Sequence, residues 1–380
     1  MISTGSAEGR HGQRVVLFGS YAPSLVNFRG PLISAMAVRG HEVFALAPDI
    51  DAATADRLRE LGATPVPVGL RRASLDPRRA VRASREMKAL FRSLRPDVVI
   101  AYTITPIIVG AGAARAVSAR FIPMVTGLGY AFLGGLNPKR LLIRLAAMLM
   151  YRRAFRHAQL ALFQNPDDRM DFLRLRIFPS SLPTALVNGS GVDLGHFHVA
   201  AQPREMSFLM IARFLKDKGI REYGAAAATL KREYPQVRFR LVGWLDQSPD
   251  AISQAELDEM IAGGVECLGQ LDDVRPALAA CKVYVLPSYR EGTPRSVLEA
   301  MAVGRAIVTT DAPGCRQTVI DGENGLLVPP ANVDALCRAM RQLICDPALA
   351  ERMGEASRRI VEEKFDVDTV NRTILDSVGL

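Results

Sequence analysis

The sequence predicts an α/β protein built from two doubly wound, Rossmann-like domains that face each other across a cleft. Apolar runs rich in β-branched residues alternate with helical stretches along almost the whole chain. This alternation restarts after a polar segment at residues 196–204. With 380 residues, the chain is also long enough for two ordinary domains with separate cores.

The first domain is predicted to span residues 1–200. Strands that are buried on both faces of a parallel sheet form nearly continuous apolar runs, with helices in the connections between them. Six such runs are predicted as strands, at residues 14–18, 41–48, 97–102, 121–126, 160–163 and 185–187.

The second domain is predicted to span residues 201–360, followed by a helix at 361–380 that packs back on the first domain. Its predicted strands lie at residues 206–212, 237–242, 265–268, 283–286, 306–309 and 326–328. Ligands of open α/β sheets bind at the carboxyl ends of the strands. We therefore expect a functional site between the two domains.

Composition indicates a globular protein, since 49% of the residues are hydrophobic and 23% are charged. The polar N-terminus lacks the apolar core of a signal peptide, and no run of about 18 apolar residues occurs. These features predict a cytoplasmic protein. Its cysteines show no C-x-x-C spacing and are expected to be reduced core residues: Cys267, Cys281, Cys315, Cys337 and Cys345.

Positive charge is concentrated in the first half. Residues 1–200 contain 26 Lys and Arg against 13 Asp and Glu, whereas the remainder has 22 against 26. Residues 71–95 carry nine basic and two acidic residues, and residues 139–156 form an apolar stretch edged by arginines. Both stretches suit an anionic membrane surface, although ordinary solvated helix faces have the same pattern.

The segment EGTPRSVLEAMAVG, which ends at Gly304, holds the most informative pair of residues, Glu291 and Glu299. Thr293 is predicted as a helix N-cap and Pro294 as the first helical residue. A helix N-terminus favours phosphate, and carboxylates accept hydrogen bonds from hydroxyl groups. The segment therefore suits a nucleotide sugar, with Glu291 on the sugar and Glu299 on the ribose; a solvated helix face is the alternative.

Arg213 and Lys218 follow the strand at 206–212 and precede a helical stretch. A pyrophosphate group would bind at that position, where arginine offers a bidentate fork and lysine a compact charge. We expect the two side chains to offset the charge that develops on a departing diphosphate.

Two loops of the first domain are candidates for contacts with ligands. Gly19 follows the first strand and permits close backbone approach to a bound nucleotide sugar. Asn27 lies further along the same loop, on the side where we expect the acceptor of the sugar to bind. Gly127, Gly129 and Tyr130 follow the strand at 121–126 and could line the acceptor side as well. The first loop lacks the full G-x-G-x-x-G fingerprint, and a structural turn explains the second loop equally well.

Metal and nucleic-acid sites have little support in the sequence. Asp49 and Asp51 form a D-x-D pattern that some sugar transferases use for a divalent metal, but no third ligand is evident. We therefore predict no metal and no cofactor. The basic stretches lack interleaved aromatic residues, and no zinc-ligand spacing occurs, so no nucleic-acid partner is expected.

The residues described above resemble glycosyltransferase family 4, whose members are retaining enzymes of the GT-B fold that use nucleotide sugars. The resemblance covers essentially the whole chain and is most specific at Glu291 and Glu299. Support comes from ARFLKDKG, which holds Arg213 and Lys218, from Gly269 in LGQLDDV, and from NGLLVPP at 324–330. The first-domain segments FGSYAPSLVNFRGPLISAM, VTGLGYAF and VNGSGVDLGHF are similar to bacterial N-acetylhexosaminyltransferases that act on undecaprenyl-diphosphate sugars.

The resemblance implies transfer of a sugar from a UDP-sugar to a lipid-linked saccharide, with retention at the anomeric carbon and without an obligatory metal. Glu291, assisted by Gly292, Thr293, Pro294 and Arg295, would orient the donor sugar, and Glu299 would bind the ribose. Many family members carry a histidine after the strand at 121–126, where this chain has Thr126-Gly127. A role that depends on that histidine is therefore not implied here.

Two other interpretations remain open at this point. A nucleotide-sugar 2-epimerase of the same fold would bind the same donor without an acceptor and would release a free epimerised sugar. A catalytically silent protein that docks on a membrane through its basic first domain would need no intact site. The expected partners of the transferase are a UDP-sugar, a lipid-linked acceptor and an anionic membrane surface at the inner face of the plasma membrane.

Overall fold

A computed structural model of the chain describes residues 12–69, 77–128, 138–246, 248 and 250–380. Side chains 77–83, 138–140 and 143 lie outside this description, as do the candidate residues Gly129 and Tyr130. Two compact units are present. The first unit contains the described residues up to Val187 together with Asn371–Leu380, and the second contains Asn188–Val370.

The first unit holds a seven-stranded parallel sheet of order β3-β2-β1-β4-β5-β6-β7 among the described residues. Its elements, in chain order, are β1 (Arg14–Phe18), α1 (Ala22–Asn27), α2 (Gly30–Val38), β2 (Glu42–Ala47), α3 (Ala52–Glu60), β3 (Ala63–Pro67), α4 (Pro77–Leu94), β4 (Val98–Tyr102), α5 (Ile104–Ala116), β5 (Arg120–Val125), α6 (Pro138–Phe155), β6 (Ala161–Phe163), α7 (Pro166–Arg174) and β7 (Thr184–Leu186).

The second unit holds a six-stranded parallel sheet of order β10-β9-β8-β11-β12-β13. Its elements are β8 (Ser207–Ile211), α8 (Ile220–Glu233), β9 (Arg238–Val242), α9 (Gln254–Ala262), β10 (Val265–Cys267), α10 (Arg275–Ala279), β11 (Val283–Leu286), α11 (Arg295–Ala302), β12 (Ala306–Thr310), β13 (Gly325–Val328), α12 (Val333–Cys345) and α13 (Pro347–Lys364). The last helix, α14, spans Val367–Val378.

Both sheets confirm the predicted fold class of two doubly wound Rossmann-like domains. In the first sheet the strand order reverses between β1 and β4, and in the second it reverses between β8 and β11. At such a reversal the connections on either side lead away from each other, which opens a crevice at the carboxyl ends of the two strands. The described residues contain no helix that is long and apolar enough to cross a membrane.

One strand, β3, is absent from the sequence prediction. It carries Pro65 and Pro67 in the short segment ATPVP, and a proline cannot donate a ladder hydrogen bond. β3 is the edge strand of its sheet and pairs with β2 alone, so each proline lies where a missing donor is tolerated.

The boundary between the two units lies earlier than the predicted position at residue 200. Val192 donates a backbone hydrogen bond to the Phe365 carbonyl at 2.8 Å, and Phe197 belongs to the core of the second unit. These contacts assign residues 188–200 to the second unit, because Val192 and Phe197 are buried in its core.

The division at the C-terminus passes through α14 and not before residue 361. The final ten residues, Asn371–Leu380, belong to the first unit. There Arg39 donates to the Leu380 carbonyl and Arg120 donates to the Val378 carbonyl, each at 2.6 Å. Residues 361–370 belong instead to the second unit.

The cysteines agree only in part with the expectation of core positions. Cys281, Cys315 and Cys337 are buried free thiols, and Cys267 is half-buried. Cys345 is exposed at the end of α12, so its prediction as a core residue is wrong. The apolar face of α12 is formed by other side chains, which leaves this position at the solvent-facing terminus.

Candidate functional site

The candidate site lies at the carboxyl edge of the second sheet, where the loops after β8 and β11 emerge next to each other. The β8 loop continues into a 3-10 turn at Lys216–Lys218 and then Gly219, which has a left-handed φ of 72°. A Cβ atom at Gly219 would overlap Pro287 of the β11 loop. Glycine is therefore required both for the backbone conformation and for the close approach of the two loops.

An ion pair joins these two loops. The Lys218 Nζ atom lies 2.5 Å from Glu291 Oε1, and the buried Ser288 hydroxyl donates to the same oxygen at 2.8 Å. Only 17% of the Lys218 side chain and 16% of the Glu291 side chain are exposed. The structure thus brings together two residues that lie 73 positions apart and that the sequence singled out independently.

The charges around this pair keep Lys218 protonated. Burial by itself lowers the pKa of the Lys218 ammonium, but Glu291 and Asp217 outweigh burial and hold that pKa above its usual value. Burial raises the pKa of the Asp217 carboxyl, while the positive charge of Lys218 opposes the rise. The edge therefore holds a protonated ammonium that is only partly solvated and that is paired with the Glu291 carboxylate.

Arg213 lies at the same edge but is half-exposed. Its guanidinium contacts Asp246 Oδ2 at 3.1 Å, and Asp246 follows β9. The Phe214 N–H donates to the Trp244 carbonyl at 3.0 Å, so the β8 and β9 loops run side by side here. Neither Asp246 nor Trp244 belongs to a recognisable motif, so neither residue was predicted from the sequence as part of the site.

Helix α11 begins one residue later than predicted. Its N-cap is Pro294, with φ −72° and ψ 108°, and the first helical residue is Arg295. The prediction that Thr293 is the N-cap is therefore wrong. An extended ψ at Pro294 delays the helix, and Thr293 packs against Gly189, whose φ is 69°.

Glu299 forms its ion pair within this helix. The Arg295 Nε atom donates to Glu299 Oε1 at 2.9 Å, one helical turn away. Burial raises the pKa of the Glu299 carboxyl, and the nearby Arg295 charge opposes the rise. Glu299 thus lies just inside the helix start, with one carboxylate oxygen held by its neighbour.

Two of the three glycines that are predicted to bind the donor, Gly269 and Gly292, lie in the second unit. Gly269 follows β10 with φ 69°, and its carbonyl accepts the Gly243 N–H at 2.9 Å. Gly292 is buried and follows Glu291 in the β11 loop. Here Gly314, with φ 82°, lies so close that a Cβ atom would overlap the Glu291 and Gly292 backbones.

The remaining described candidates lie in the first unit. Gly19 donates its N–H to the Leu46 carbonyl at 2.9 Å, and a Cβ atom there would overlap the Tyr102 ring. Asn27 is the exposed last residue of α1, and Gly127 follows β5 with φ 118°. The glycine at position 19 is therefore explained by its packing against Tyr102.

A hydroxyl-rich cluster, which was not predicted from the sequence, surrounds the reversal point of the first sheet. The hydroxyl oxygens of Ser24 and Tyr102 lie 2.8 Å apart, and the Thr103 hydroxyl donates to Ser20 at 2.8 Å. The buried Arg29 guanidinium lies 5.2 Å from the centre of the Tyr102 ring. Burial raises the pKa of the Tyr102 phenol to about 12, so the phenol is neutral at physiological pH.

Comparisons with known proteins identify the family. Residues 196–360 match the family model described as glycosyl transferases group 1, and residues 29–189 match a glycosyl transferase 4-like domain. The chain is 30% identical over 352 residues to the N,N'-diacetylbacillosaminyl-diphospho-undecaprenol alpha-1,3-N-acetylgalactosaminyltransferase of Campylobacter jejuni, an alignment that covers 88% of this chain and 90% of the relative. The chain belongs to the group 1 glycosyltransferases. It is a transferase enzyme, as the sequence resemblance predicted.

Two solved structures share the fold of this chain. Sucrose-phosphate synthase from Thermosynechococcus elongatus is similar with a TM-score of 0.80 at 20% identity, over 95% of this chain and 97% of that one. Anabaena HepE, solved in complex with UDP-glucose, is similar with a TM-score of 0.76 at 20% identity, over 96% of this chain and 99% of that one. These likenesses confirm the GT-B fold of the transferase.

The D-x-D pattern of the transferase has a structural explanation at Asp51. The Asp51 side chain accepts the Thr54 N–H at 2.7 Å and so serves as the N-cap of α3. Asp49 has a left-handed φ of 50° in the turn before it. Within the described ranges, no group of three or more His, Cys, Asp or Glu side chains is arranged to hold a metal ion.

The second-unit edge of this glycosyltransferase can bind an anion and a polyol together. Lys218 and Arg213 supply positive charge, and Glu291 and Glu299 supply carboxylate oxygens that can accept hydrogen bonds. Trp244, which is 43% exposed, adds an aromatic face beside β8. This combination suits a molecule that joins a diphosphate, sugar hydroxyls and an aromatic base.

Proposed function

We propose that this enzyme transfers a sugar, an N-acetylhexosamine, from a UDP-sugar to a saccharide linked to undecaprenyl diphosphate, with retention at the anomeric carbon. The Lys218–Glu291 pair at the reversal point of the second sheet carries the proposal, because it presents a half-buried ammonium and a carboxylate side by side. The Campylobacter relative, named for transfer of N-acetylgalactosamine to an undecaprenol-linked sugar, supports this choice of donor and acceptor.

The diphosphate of the donor would bind at the positive end of the site. Lys218 offers a compact ammonium, and the half-exposed Arg213 can rotate its guanidinium from Asp246 to a phosphate oxygen. Both charges stabilise the departing nucleotide more strongly than the intact donor, because negative charge grows on the diphosphate as the bond to the sugar breaks. Gly269 leaves open space for the nucleotide beside β10, since no atom lies within 4 Å of its Cβ position.

The two glutamates would orient the two sugars of the donor. Glu291, already fixed by Lys218 and Ser288, accepts hydrogen bonds from the transferred sugar with the help of the backbone at Gly292, Thr293 and Pro294. Glu299 accepts from the ribose hydroxyls through the oxygen that Arg295 does not hold.

The transfer itself would need no side-chain base. The acceptor hydroxyl oxygen forms a bond to the anomeric carbon, on the face from which the bond to the phosphate oxygen breaks. The hydroxyl proton passes to that departing oxygen, and UDP leaves. Most of the rate then comes from positioning and from charge stabilisation, which needs no obligatory metal because Lys218 and Arg213 offset the charge of the diphosphate.

The first unit would hold the acceptor. Gly127 and Asn27, together with Gly129 and Tyr130 outside the described residues, are the proposed acceptor-side residues, and Gly19 would approach the donor. A lipid-linked acceptor also requires work at a membrane surface. The positive charge of residues 1–200 supports peripheral attachment to the anionic inner face of the plasma membrane.

Release of UDP from a panel of UDP-sugars tests the proposal. The purified enzyme is incubated with each donor, with and without an undecaprenyl-diphosphate-sugar acceptor, and in the presence of EDTA. We expect release with a UDP-N-acetylhexosamine that depends on the acceptor and survives EDTA, and a product whose anomeric configuration matches that of the donor. Free epimerised sugar without an acceptor would favour the 2-epimerase alternative, and no release from any donor would overturn the proposal.

A further inference from the structure

Helix α6 of the first unit exposes leucines on its outer face. Leu141, Leu142, Leu145 and Leu149 are 55%, 70%, 48% and 63% exposed, although a leucine is usually buried. Their spacings of three and four residues place all four on one face of the helix. Such a row is an apolar surface that water covers unfavourably.

The opposite face of α6 is already occupied by the core. Ala147, Tyr151, Ala154 and Phe155 are buried, and the Tyr151 and Phe155 rings pack against Phe172 at 5.1 and 5.5 Å between ring centres. The exposed leucines are therefore not needed to hold the helix on its domain. A helix that is apolar on both sides faces the core on one side and another apolar medium on the other.

The charged residues of α6 indicate which apolar medium its exposed leucines face. The sequence of α6 contains no acidic residue, whereas exposed Arg153 and Arg156 continue the leucine face at the C-terminal end of the helix. Arg152, by contrast, is held by the carbonyls of Leu175 and Arg176. Leucines that insert among acyl chains and arginines that bind phosphate headgroups together form the pattern of a helix that lies in the interface of an anionic membrane.

The position of α6 in the fold suits this partner. The helix connects β5 to its parallel neighbour β6, so its first turns lie on the side of the sheet where β5 ends. Gly127, a proposed acceptor-side residue, follows β5 at that edge. A lipid-linked acceptor has its chain in the bilayer and its sugar at the surface, next to such an edge.

We propose that α6 docks the enzyme on anionic bilayers by inserting the row Leu141, Leu142, Leu145 and Leu149, with Arg153 and Arg156 at the headgroups. The inference rests on the proposed function in one respect, since a lipid-linked acceptor is what would require the enzyme to dock on a membrane. Attachment is hydrophobic as well as electrostatic, so part of the binding persists at high salt.

Vesicle cosedimentation tests the docking without donor or acceptor. The whole protein is mixed with vesicles of equal parts phosphatidylglycerol and phosphatidylcholine. Replacing the four leucines by serine (L141S, L142S, L145S, L149S) should lower the partition coefficient at least about 100-fold, at roughly three- to tenfold for each leucine. Arg153→Gln with Arg156→Gln should lower it about tenfold at low salt and hardly at all at high salt.

A matched variant controls for loss of exposed apolar surface in general. Val38→Ser, Val199→Ser, Ile261→Ser and Ile320→Ser together remove four exposed apolar side chains of the described residues that lie outside α6. This variant should bind vesicles like the unaltered protein. Circular dichroism and the melting temperature of each variant show that the fold is retained.

Activity on a short, water-soluble acceptor separates this inference from the proposed function. The leucine variant should keep that activity and lose only activity on vesicle-borne acceptor. Undiminished vesicle binding by the leucine variant, or no binding by the unaltered protein, would overturn the docking while leaving the transferase intact. A dimer that the leucine changes convert to monomers would also overturn it, because a second copy would then cover this face.

Discussion

The carboxyl edges of the two sheets differ sharply at equivalent points. Where the second sheet reverses its strand order, between β8 and β11, the loops carry ion pairs such as Lys218–Glu291. Where the first sheet reverses, between β1 and β4, the loops carry hydroxyl pairs, with Ser24 beside Tyr102 and Ser20 beside Thr103. The strand order around the reversal is therefore the same in both sheets, but the side chains at the two edges differ in chemistry.

The difference teaches that topology fixes where a site lies and that side chains fix what it binds. Paired charges on one edge suit a charged diphosphate, whereas the other edge offers hydroxyl groups beside the buried Arg29 guanidinium, which suit the hydroxyl groups of a saccharide. Each edge also keeps its chemistry for a physical reason. Burial holds Tyr102 neutral, and the surrounding carboxylates hold Lys218 charged.

The largest expected effect comes from Glu291→Gln, which would break the charged edge. The amide keeps the volume and can still accept from Lys218 and Ser288, but the negative charge is lost. We expect kcat to fall about 100-fold or more, as for other groups that orient a transition state. Steady-state kinetics with the donor found by UDP release measures it.

A surface glutamate provides the control for this change. Glu323 pairs with Arg359 at 2.7 Å, but both side chains are largely exposed. Glu323→Gln should leave kcat within about twofold of the unaltered enzyme, because exposed pairs contribute little. Equal losses of kcat in the two variants would contradict a specific role of Glu291 in the reaction.

Thr103 follows β4 at the carboxyl edge of the first sheet and allows a test of backbone strain there. Thr103 has φ 66° and ψ 160°, a conformation that a β-branched residue rarely adopts and that glycine adopts readily. Thr103→Ala and Thr103→Gly both lose the hydroxyl, but only glycine relieves the strain. The glycine variant should therefore be more stable than the alanine variant by about 1 kcal/mol, measured by urea unfolding. A less stable glycine variant would show that the backbone is not strained.

The smallest expected effect is a pH dependence at Glu299. Burial raises the folded pKa of this carboxyl, so its contribution to stability is present below the unfolded pKa of about 4.3 and is lost as pH rises through the folded pKa. The free energy of unfolding, relative to that of Glu299→Gln, should therefore fall as pH rises above about 4.3. Denaturant unfolding at several pH values measures this difference.

Glu256 should show the opposite sign. The Ser253 backbone N–H, together with other hydrogen bonds, lowers the pKa of Glu256 to about 2. Its contribution is present above the unfolded pKa of about 4.3 and is lost as pH falls through about 2. The same sign for both glutamates would contradict the assigned effect of burial on Glu299.

Most of the fold is predictable from the sequence because its strands are buried on both faces and form continuous apolar runs. All twelve predicted strands are present, and each strand end lies within one residue of its predicted position. β3 is the one described strand that was not predicted. Its prolines are unusual in a strand and are tolerated because β3 lies at the edge of the sheet. The unit boundary was also misplaced, because the segment at 188–200 is polar in sequence but anchors Val192 in the second core.

The site is predictable only where a motif marks it. Glu291, Glu299, Arg213 and Lys218 stand in recognisable segments, and the structure adds their pairings. Long-range partners such as Asp246 leave no local signal in a single sequence. The helix start was misplaced for a local reason, since the extended ψ of Pro294 cannot be read from residue type.

Binding of UDP to the second-unit edge is the most direct test of the central claim. Trp244 is the one tryptophan in the sequence and lies at this edge, so intrinsic fluorescence reports binding there without a label. Titration with UDP should quench it in the unaltered enzyme, with Kd raised at least about tenfold by Lys218→Met and unchanged by Lys216→Met in the same turn. Equal affinity for UDP in all three proteins would contradict the assignment of this edge to the diphosphate.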